Sequence, residues 1–343
     1  MTGETIHRPG THLIARHAES MLWLARYMER IECLARLLDV TNTFASDNDD
    51  TRNWLSSLRI NGDQDAFYAR HSEANRASVA HFYLLDADNP TSIPAAMAYA
   101  RENARTLRAI ISTEMWLQIN VFHGRIRALR PDDLTADNFT GVCSMLKEGA
   151  QAHTGITEGT FYRDQPWHFY MLGRYLERSD QTTRLLDTRF NAIAPRLDVA
   201  DTAIDAGQWN TLLRAAAGYH AYRRVHPSGY RPKEVAGFLL VDKAFPRSVG
   251  LNLAQLEWHL SQLRSRYNLR GGRRALERVD HLNSVLTEQA VADLVDRRLS
   301  PFLDWLQREI AGVHADIIDG FRGGQGTPHP PRPPTPPPGP LPG

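Results

Sequence analysis

One stretch of this chain occurs twice, and that repetition constrains the fold more than any other feature. Residues 24–40, LARYMERIECLARLLDV, align with residues 172–188, LGRYLERSDQTTRLLDT, with nine of 17 positions identical. Trp54-Leu-Ser-Ser-Leu-Arg59 then matches Trp209-Asn-Thr-Leu-Leu-Arg214. Phe82-Tyr-Leu-Leu-Asp86, followed by Pro90 and Ser92, matches Phe238-Leu-Leu-Val-Asp242, followed by Pro246 and Ser248. The offsets are 148, 155 and 156 residues. Three matches in one order at nearly one offset mark a duplication. The chain therefore reads as two divergent tandem units, 12–155 and 156–320, packed around a pseudo-twofold axis.

The period of the apolar residues makes both units helical. Leu24, Met28, Ile31, Ala35 and Leu38 recur at three- and four-residue steps and fall on one stripe. Comparable stripes run through Ile93–Arg127, Phe169–Leu186, Leu251–Arg264 and Ala290–Ile318. Breaks fall at Pro90, Pro131, Pro227-Ser-Gly229 and Gly271-Gly272. No series of β-branched, period-two runs would make a sheet, so the expected class is all-α. From Gly320 onward the chain is rich in proline, which removes backbone donors and forbids helix. This stretch, set off as 321–343, is expected to be a disordered tail.

Composition narrows the function. Apolar residues make up 42% of the chain, enough for a sizeable core, and 40 basic residues face 39 acidic ones. A nucleic-acid binder usually carries a clear basic surplus, so that partner is not expected. Cys33 and Cys143 form no CxxC pair and suit a reducing compartment. No apolar run is long enough to span a membrane, and residues 1–11 lack the apolar core of a signal peptide. The expected location is the cytoplasm.

The repeated helix also carries repeated charge. Advancing 100° per residue from Leu24 places Arg26 and Glu29 opposite the apolar stripe, with Glu19 and Arg30 beside them. The second unit repeats the core of this set as Arg174, Glu177 and Arg178. Charges on a solvated face drift freely, because surface ion pairs contribute only ~0–1 kcal/mol. Here Arg-Tyr-x-Glu-Arg is kept in both copies while Glu32-Cys-Leu-Ala35 becomes Asp180-Gln-Thr-Thr183. That points to a second buried contact for this face, most simply the junction of the two units. Two further clusters accompany it. Glu102, Arg105 and Arg108 share one helix face, with Glu114 following; Arg163 and Asp164 lead into the second repeat helix, where Asp164 or Gln165 is placed to cap it.

Other chemistry finds little support. Glu29–Glu32 and Glu177–Asp180 are carboxylate pairs at i, i+3, but each has an arginine beside it that competes with a cation. No metal site is expected. There is no phosphate-binding glycine loop, His-Glu-x-x-His motif or G-x-S-x-G elbow, and no cofactor is implied. His153, His168, His220 and His259 have no spacing that brings them together. No catalytic residue is singled out.

The stretch Ala18-Glu-Ser-x-x-Trp-Leu-Ala-Arg-Tyr-Met-Glu-Arg-Ile-Glu32 resembles the bacterial alpha-E family, a helical domain of unknown function. The resemblance extends through Arg101-Glu-Asn-Ala-Arg-x-x-Arg108 with Glu114-Met-Trp116, and Arg163-Asp164-x-x-Trp167 with Gly173-Arg-x-x-Glu-Arg178, to Phe238-Leu-Leu-Val-Asp-x-x-Phe-Pro-Arg-Ser248. It implies genomic partners: circularly permuted ATP-grasp ligases and transglutaminase-like peptidases. The expected function is a helical partner of such an amide-bond-forming system. The alternatives are an enzyme with a glutamate general base and a pure scaffold. Convergent unpaired charges would favour a functional cleft; buried, fully paired charges would favour the scaffold.

Overall fold

Local signals in the sequence set where four of the helices start. Ser92, Ser112 and Ser248 lie in extended backbone and accept the amide hydrogens of Ala95, Met115 and Leu251, capping the helices that follow. Asn75 and Ser78 cap another start reciprocally. The third sequence match proves to be a repeated loop. Asp86 accepts from the amide of Asp88, and Asp242 from that of Ala244, so each aspartate turns the chain before its capping serine.

In a computed structural model, residues 15–44, 50–193, 202–267, 271–295 and 299–321 are described. They form fifteen α-helices, with no strand among them. The first unit holds α1 (Ala15–Phe44), α2 (Asp50–Asn61), α3 (Gln64–Tyr68), α4 (Arg76–Leu84), α5 (Ile93–Thr106), α6 (Thr113–Ala128) and α7 (Phe139–Thr160). The second holds α8 (Gln165–Ile193), α9 (Thr202–Ala215), α10 (Tyr219–Val225), α11 (Pro232–Leu240), α12 (Val249–Ser265), α13 (Arg273–Val285), α14 (Glu288–Val295) and α15 (Leu299–Phe321). A short 3-10 turn, Pro131–Leu134, precedes α7 much as α14 precedes α15.

The packing repeats as the order does. In the first unit α1 lies against α5 and α7, and α6 against both; in the second α8 lies against α12 and α15, and α13 against both. The two long repeat helices then pack on each other, while α2 reaches across to α8 and α9 to α1. Leu22 faces Gly173, Arg26 and Arg30 face Glu177, and Glu29 faces Arg174 and Arg178. Contacts advance in the same direction along both helices, so α1 and α8 run parallel. They meet closely at Gly173, where an added Cβ would stand 2.1 Å from the Leu22 carbonyl oxygen.

This arrangement leaves α1 almost without a solvent face: seventeen of its thirty residues are buried, Glu29 and Glu32 among them. Among the described residues no helix is long and apolar enough to cross a membrane. Two boundaries need correction. The division at 155/156 falls inside α7, which runs on to Thr160, so the units part between Thr160 and Gln165. The sequence reading begins the tail at Gly320, but α15 continues through Phe321, whose ring sits edge-on to Phe169 at 4.9 Å and against Gly271 and Gly272. Those two residues belong to the helical body; 322–343 lie outside the described residues.

Candidate functional site: the charged junction of the repeat helices

The repeat helices bring their charged faces together and exchange partners. Glu177 is fully buried. It receives Arg26 Nε at 2.8 Å and a fork from Arg30, Nε at 2.7 Å and Nη2 at 3.2 Å, with Gln181 Nε2 at 3.2 Å. Glu29, 4% exposed, lies 2.9 Å from Arg178 Nε and 3.8 Å from Arg174 Nε. Arg26, Glu29 and Arg30 align with Arg174, Glu177 and Arg178 in the duplication, so each unit's glutamate is held by the other unit's arginines. Neighbouring i, i+4 pairs repeat as well: Arg36–Glu32 at 2.6 Å and Arg184–Asp180 at 2.9 Å.

The two clamps differ in one respect. Arg247, just before α12, reaches Glu29 and Glu32 at 2.8 Å each and donates to Cys33 Sγ at 3.2 Å. The matching position in the first unit, at the 156-residue offset, is Thr91. Arg174 spends another donor outward on Glu158, at 3.0 Å.

Burial and charge compete at both glutamates. Burial alone would raise the Glu29 carboxyl, but the Arg178 and Arg247 guanidiniums overcome it and hold it at about 2. Burial likewise acts against Glu177, where Arg30 and then Arg26 hold the carboxyl well below its ordinary range. Both are carboxylates at any physiological pH. The Cys33 thiol, by contrast, is pushed by burial up to about 12, which makes it a poor nucleophile.

The structure thus brings together Arg26, Glu29, Arg30, Arg174, Glu177 and Arg178. The other candidates lie apart from this core. Glu19 borders a small cavity with Leu22, Phe169 and Phe321. Glu102 and Arg105 pair with each other at 2.7 Å on the exposed side of α5. Glu114 is exposed in the first turn of α6. Arg163 stacks over Trp167 at 5.1 Å and touches the edge of the network through Glu158 at 3.5 Å. Asp164 lies just before α8, its amide donates to the Tyr162 carbonyl at 3.0 Å, its Oδ1 is buried without a hydrogen-bond partner, and burial raises its carboxyl.

Sequence reasoning missed Arg247, although the loop that carries it was one of the repeated matches. It missed Glu158, for which no pattern gave a signal. It also read the histidines as unrelated, and this is corrected: His168 and His259, buried on α8 and α12, have Nδ1 atoms 2.9 Å apart. Helix packing rather than sequence spacing makes that contact.

Comparison with known proteins places this architecture. Residues 13–321 match the family Alpha-E, described as a predicted alpha-helical domain with a conserved ER motif. Glu-Arg occurs at 29–30 and 177–178, at the centre of the junction, and again at 277–278 on α13. The chain is similar to the uncharacterized protein Mb2597 of Mycobacterium bovis and to the uncharacterized proteins MT2643 and Rv2567 of Mycobacterium tuberculosis. Each is 25% identical over 324 residues, covering 89% of this chain but 36% of the relative's own length. No solved structure matches the chain. The family match extends over all of the described residues, both repeat helices included, and the chain belongs to the Alpha-E family.

Proposed function

We propose that this chain is a non-catalytic, cytoplasmic helical partner of an ATP-grasp-type protein in an amide-bond-forming or peptide-modifying system. The observation that carries the reading is the exchange at the junction. The charges shared by both repeats are occupied in joining the units, about a pseudo-twofold axis between α1 and α8. A general base needs a pKa near the working pH and an open approach for its proton donor. Glu29 at about 2, and Glu177 well below the ordinary range, are buried beneath arginines from the facing helix. A junction clamped this way makes one stiff body of two units, which suits a scaffold.

The partner reading draws support from the relatives: the chain spans about a third of their length, so in them the helical region is joined to further polypeptide. The nature of that partner, an ATP-grasp-type protein with a transglutaminase-like protein as a second candidate, comes from the family resemblance. The test is purification of the full chain from the cells that make it, with its associated proteins identified. Stoichiometric recovery of an ATP-grasp-type protein is expected, and Glu29→Gln or Glu177→Gln should weaken the association only as far as unfolding does. Amide-bond chemistry by the chain alone, abolished by Glu29→Gln with the melting curve unchanged, would overturn the proposal.

A further inference from the structure

The two units are alike at their junction and unlike on the outer side of α6. At the 156-residue offset that aligns Ser92 with Ser248, α6 lies over α13. Their inward positions agree: Ile119 with Ala275 and Ile126 with Leu282, all buried. Their outward positions do not. Where α13 carries Arg273 and Glu277, an exposed i, i+4 ion pair at 3.7 Å, α6 carries Leu117 and Val121, 57% and 56% exposed. Where α13 carries Arg278, bound to Glu309 and Asp316 of α15, α6 carries Phe122. The Phe122 ring lies so close to α7 that a Cβ at Gly149 would stand 2.2 Å from it.

The result is a groove of about 510 Å³ between α6 and α7, its walls formed by Leu117, Val121, Ala152 and Ile156 over a floor of Phe122 and Gly149. Contacts of Ser112 with Thr160 and of Gln118 with Gly149 show that α6 and α7 run antiparallel. Glu114 therefore stands at one end of the groove, and Arg125 and Glu148 at the other. The second unit shows that this helix position folds with a charged pair, so folding does not require the exposed leucine and valine. An apolar groove rimmed by charge marks a binding surface.

We infer that this groove docks an amphipathic helix of another polypeptide, one that presents two apolar side chains a turn apart and a basic residue toward Glu114. Three observations select that occupant. From Glu114 to Arg125 the groove follows α6 for roughly 16 Å, about three helical turns at 1.5 Å per residue, and apolar anchors one turn apart are how a helix fills such a groove. Two carboxylates against one guanidinium leave its rim net negative. Most of each mycobacterial relative lies outside the shared region, so helical units of this kind meet additional polypeptide.

The experiment places a photo-crosslinking residue at position 117 of the full chain, with position 273 as control, in the cells that make the protein, and maps the adducts by mass spectrometry. The expected result is an adduct from 117 and none from 273. It should fall on a helical segment of another polypeptide with two apolar residues a turn apart and a Lys or Arg alongside. Leu117→Arg with Val121→Glu installs the second unit's own residues; it should leave helix content and melting unchanged and cut the adduct yield from a crosslinker at 156 by about tenfold, as loss of a central anchor does. Glu114→Lys, which alters no apolar contact, should also lower that yield. No adduct from 117, an adduct with a second copy of this chain, a mapped segment that is acidic or non-helical, or an undiminished yield in these variants would each overturn the inference. A fitting helix from a protein unrelated to ATP-grasp enzymes would uphold the docking site and defeat the partner assignment above.

Discussion

The α1–α8 junction and the outer faces of α6 and α13 are both duplicated surfaces, yet only the first keeps its residues. At the junction a charge is constrained twice, by its own helix and by the copy of its partner across the interface. Changing Glu29 alone would leave Arg178 and Arg247 facing a buried gap. On the outer face each side chain answers only to solvent or to a partner, and Leu117/Val121 serves as well as Arg273/Glu277. Identity between the repeats therefore reports burial at the junction. It is not evidence of catalysis.

The sharpest way to break that contrast is at the helix crossing. Gly173→Ala places a methyl group 2.1 Å from a backbone oxygen of α1, which no rotamer can relieve. The expected loss exceeds about 4 kcal/mol, the range reserved for named structural failures, and is read by urea unfolding of the full chain. Next come Glu29→Gln and Glu177→Gln. Each leaves partly buried arginines facing a neutral group at a buried position and should cost about 3–5 kcal/mol, with the two losses similar because the clamps are reciprocal. Leu117→Arg should stay within about 0.5 kcal/mol. A junction variant as mild as Leu117→Arg would remove the distinction between the two surfaces.

The sequence reveals what duplication repeats and hides what it does not. Arg26, Glu29, Arg30 and their sister residues are legible because two copies of one pattern must meet. Arg247 is not, because its counterpart is Thr91, and a lone arginine before a helix has no comparison to stand on. Glu102, Arg105 and Glu114 are legible only as sharing a face or following one another; Glu102 and Arg105 accordingly pair with each other and not with the junction. Ser92, Ser112 and Ser248 cap their helices by local chemistry, although the sequence reading places a cap only at Asp164 or Gln165. The His168–His259 contact joins residues 91 apart and depends on how α8 lies on α12.

That contact gives the comparison a pH signature of intermediate size. Burial, with Arg266 adding to it, lowers His168 to about 4, and burial, with His168 adding to it, lowers His259 to about 3. His153, buried in the first unit, also falls to about 3. The unfolded chain binds these protons near pH 6.5 and the folded chain does not. Stability is therefore complete above about pH 6.5 and declines as the pH falls toward 3–4. Glu29 and Glu177 act lower, losing their contribution as the pH drops below about 4.5 toward 2. His259→Asn, the residue at the matching first-unit position Asn103, should flatten the upper part of this decline and leave the lower part intact. Melting temperatures from pH 7.5 to 3.5 would show it; an unchanged profile would mean the pair does not titrate on unfolding.

A small effect tests the duplication one residue at a time. Gly62 and Ala217, at the 155-residue offset, end α2 and α9 in the left-handed region, with φ of 73° and 56°. Both ends close in the same way. The amides of residues 62 and 63 donate to the carbonyls of Arg59 and Leu58, and those of residues 217 and 218 to the carbonyls of Arg214 and Leu213. This is the helix stop that glycine fits best, because a Cβ costs roughly 1–2 kcal/mol in that conformation. Glycine gives part of the advantage back, about 0.5–1 kcal/mol, through the freedom it adds to the unfolded chain. Ala217→Gly should therefore stabilise by up to ~1 kcal/mol, and Gly62→Ala should destabilise by about as much. Nothing lies within 4 Å of a Cβ built at Gly62, so conformation alone drives that change. Urea midpoints for the two single variants decide the matter. Opposite shifts show that both helix ends obey one backbone rule, whereas two losses would show that Ala217 is held in place by contacts the first unit lacks.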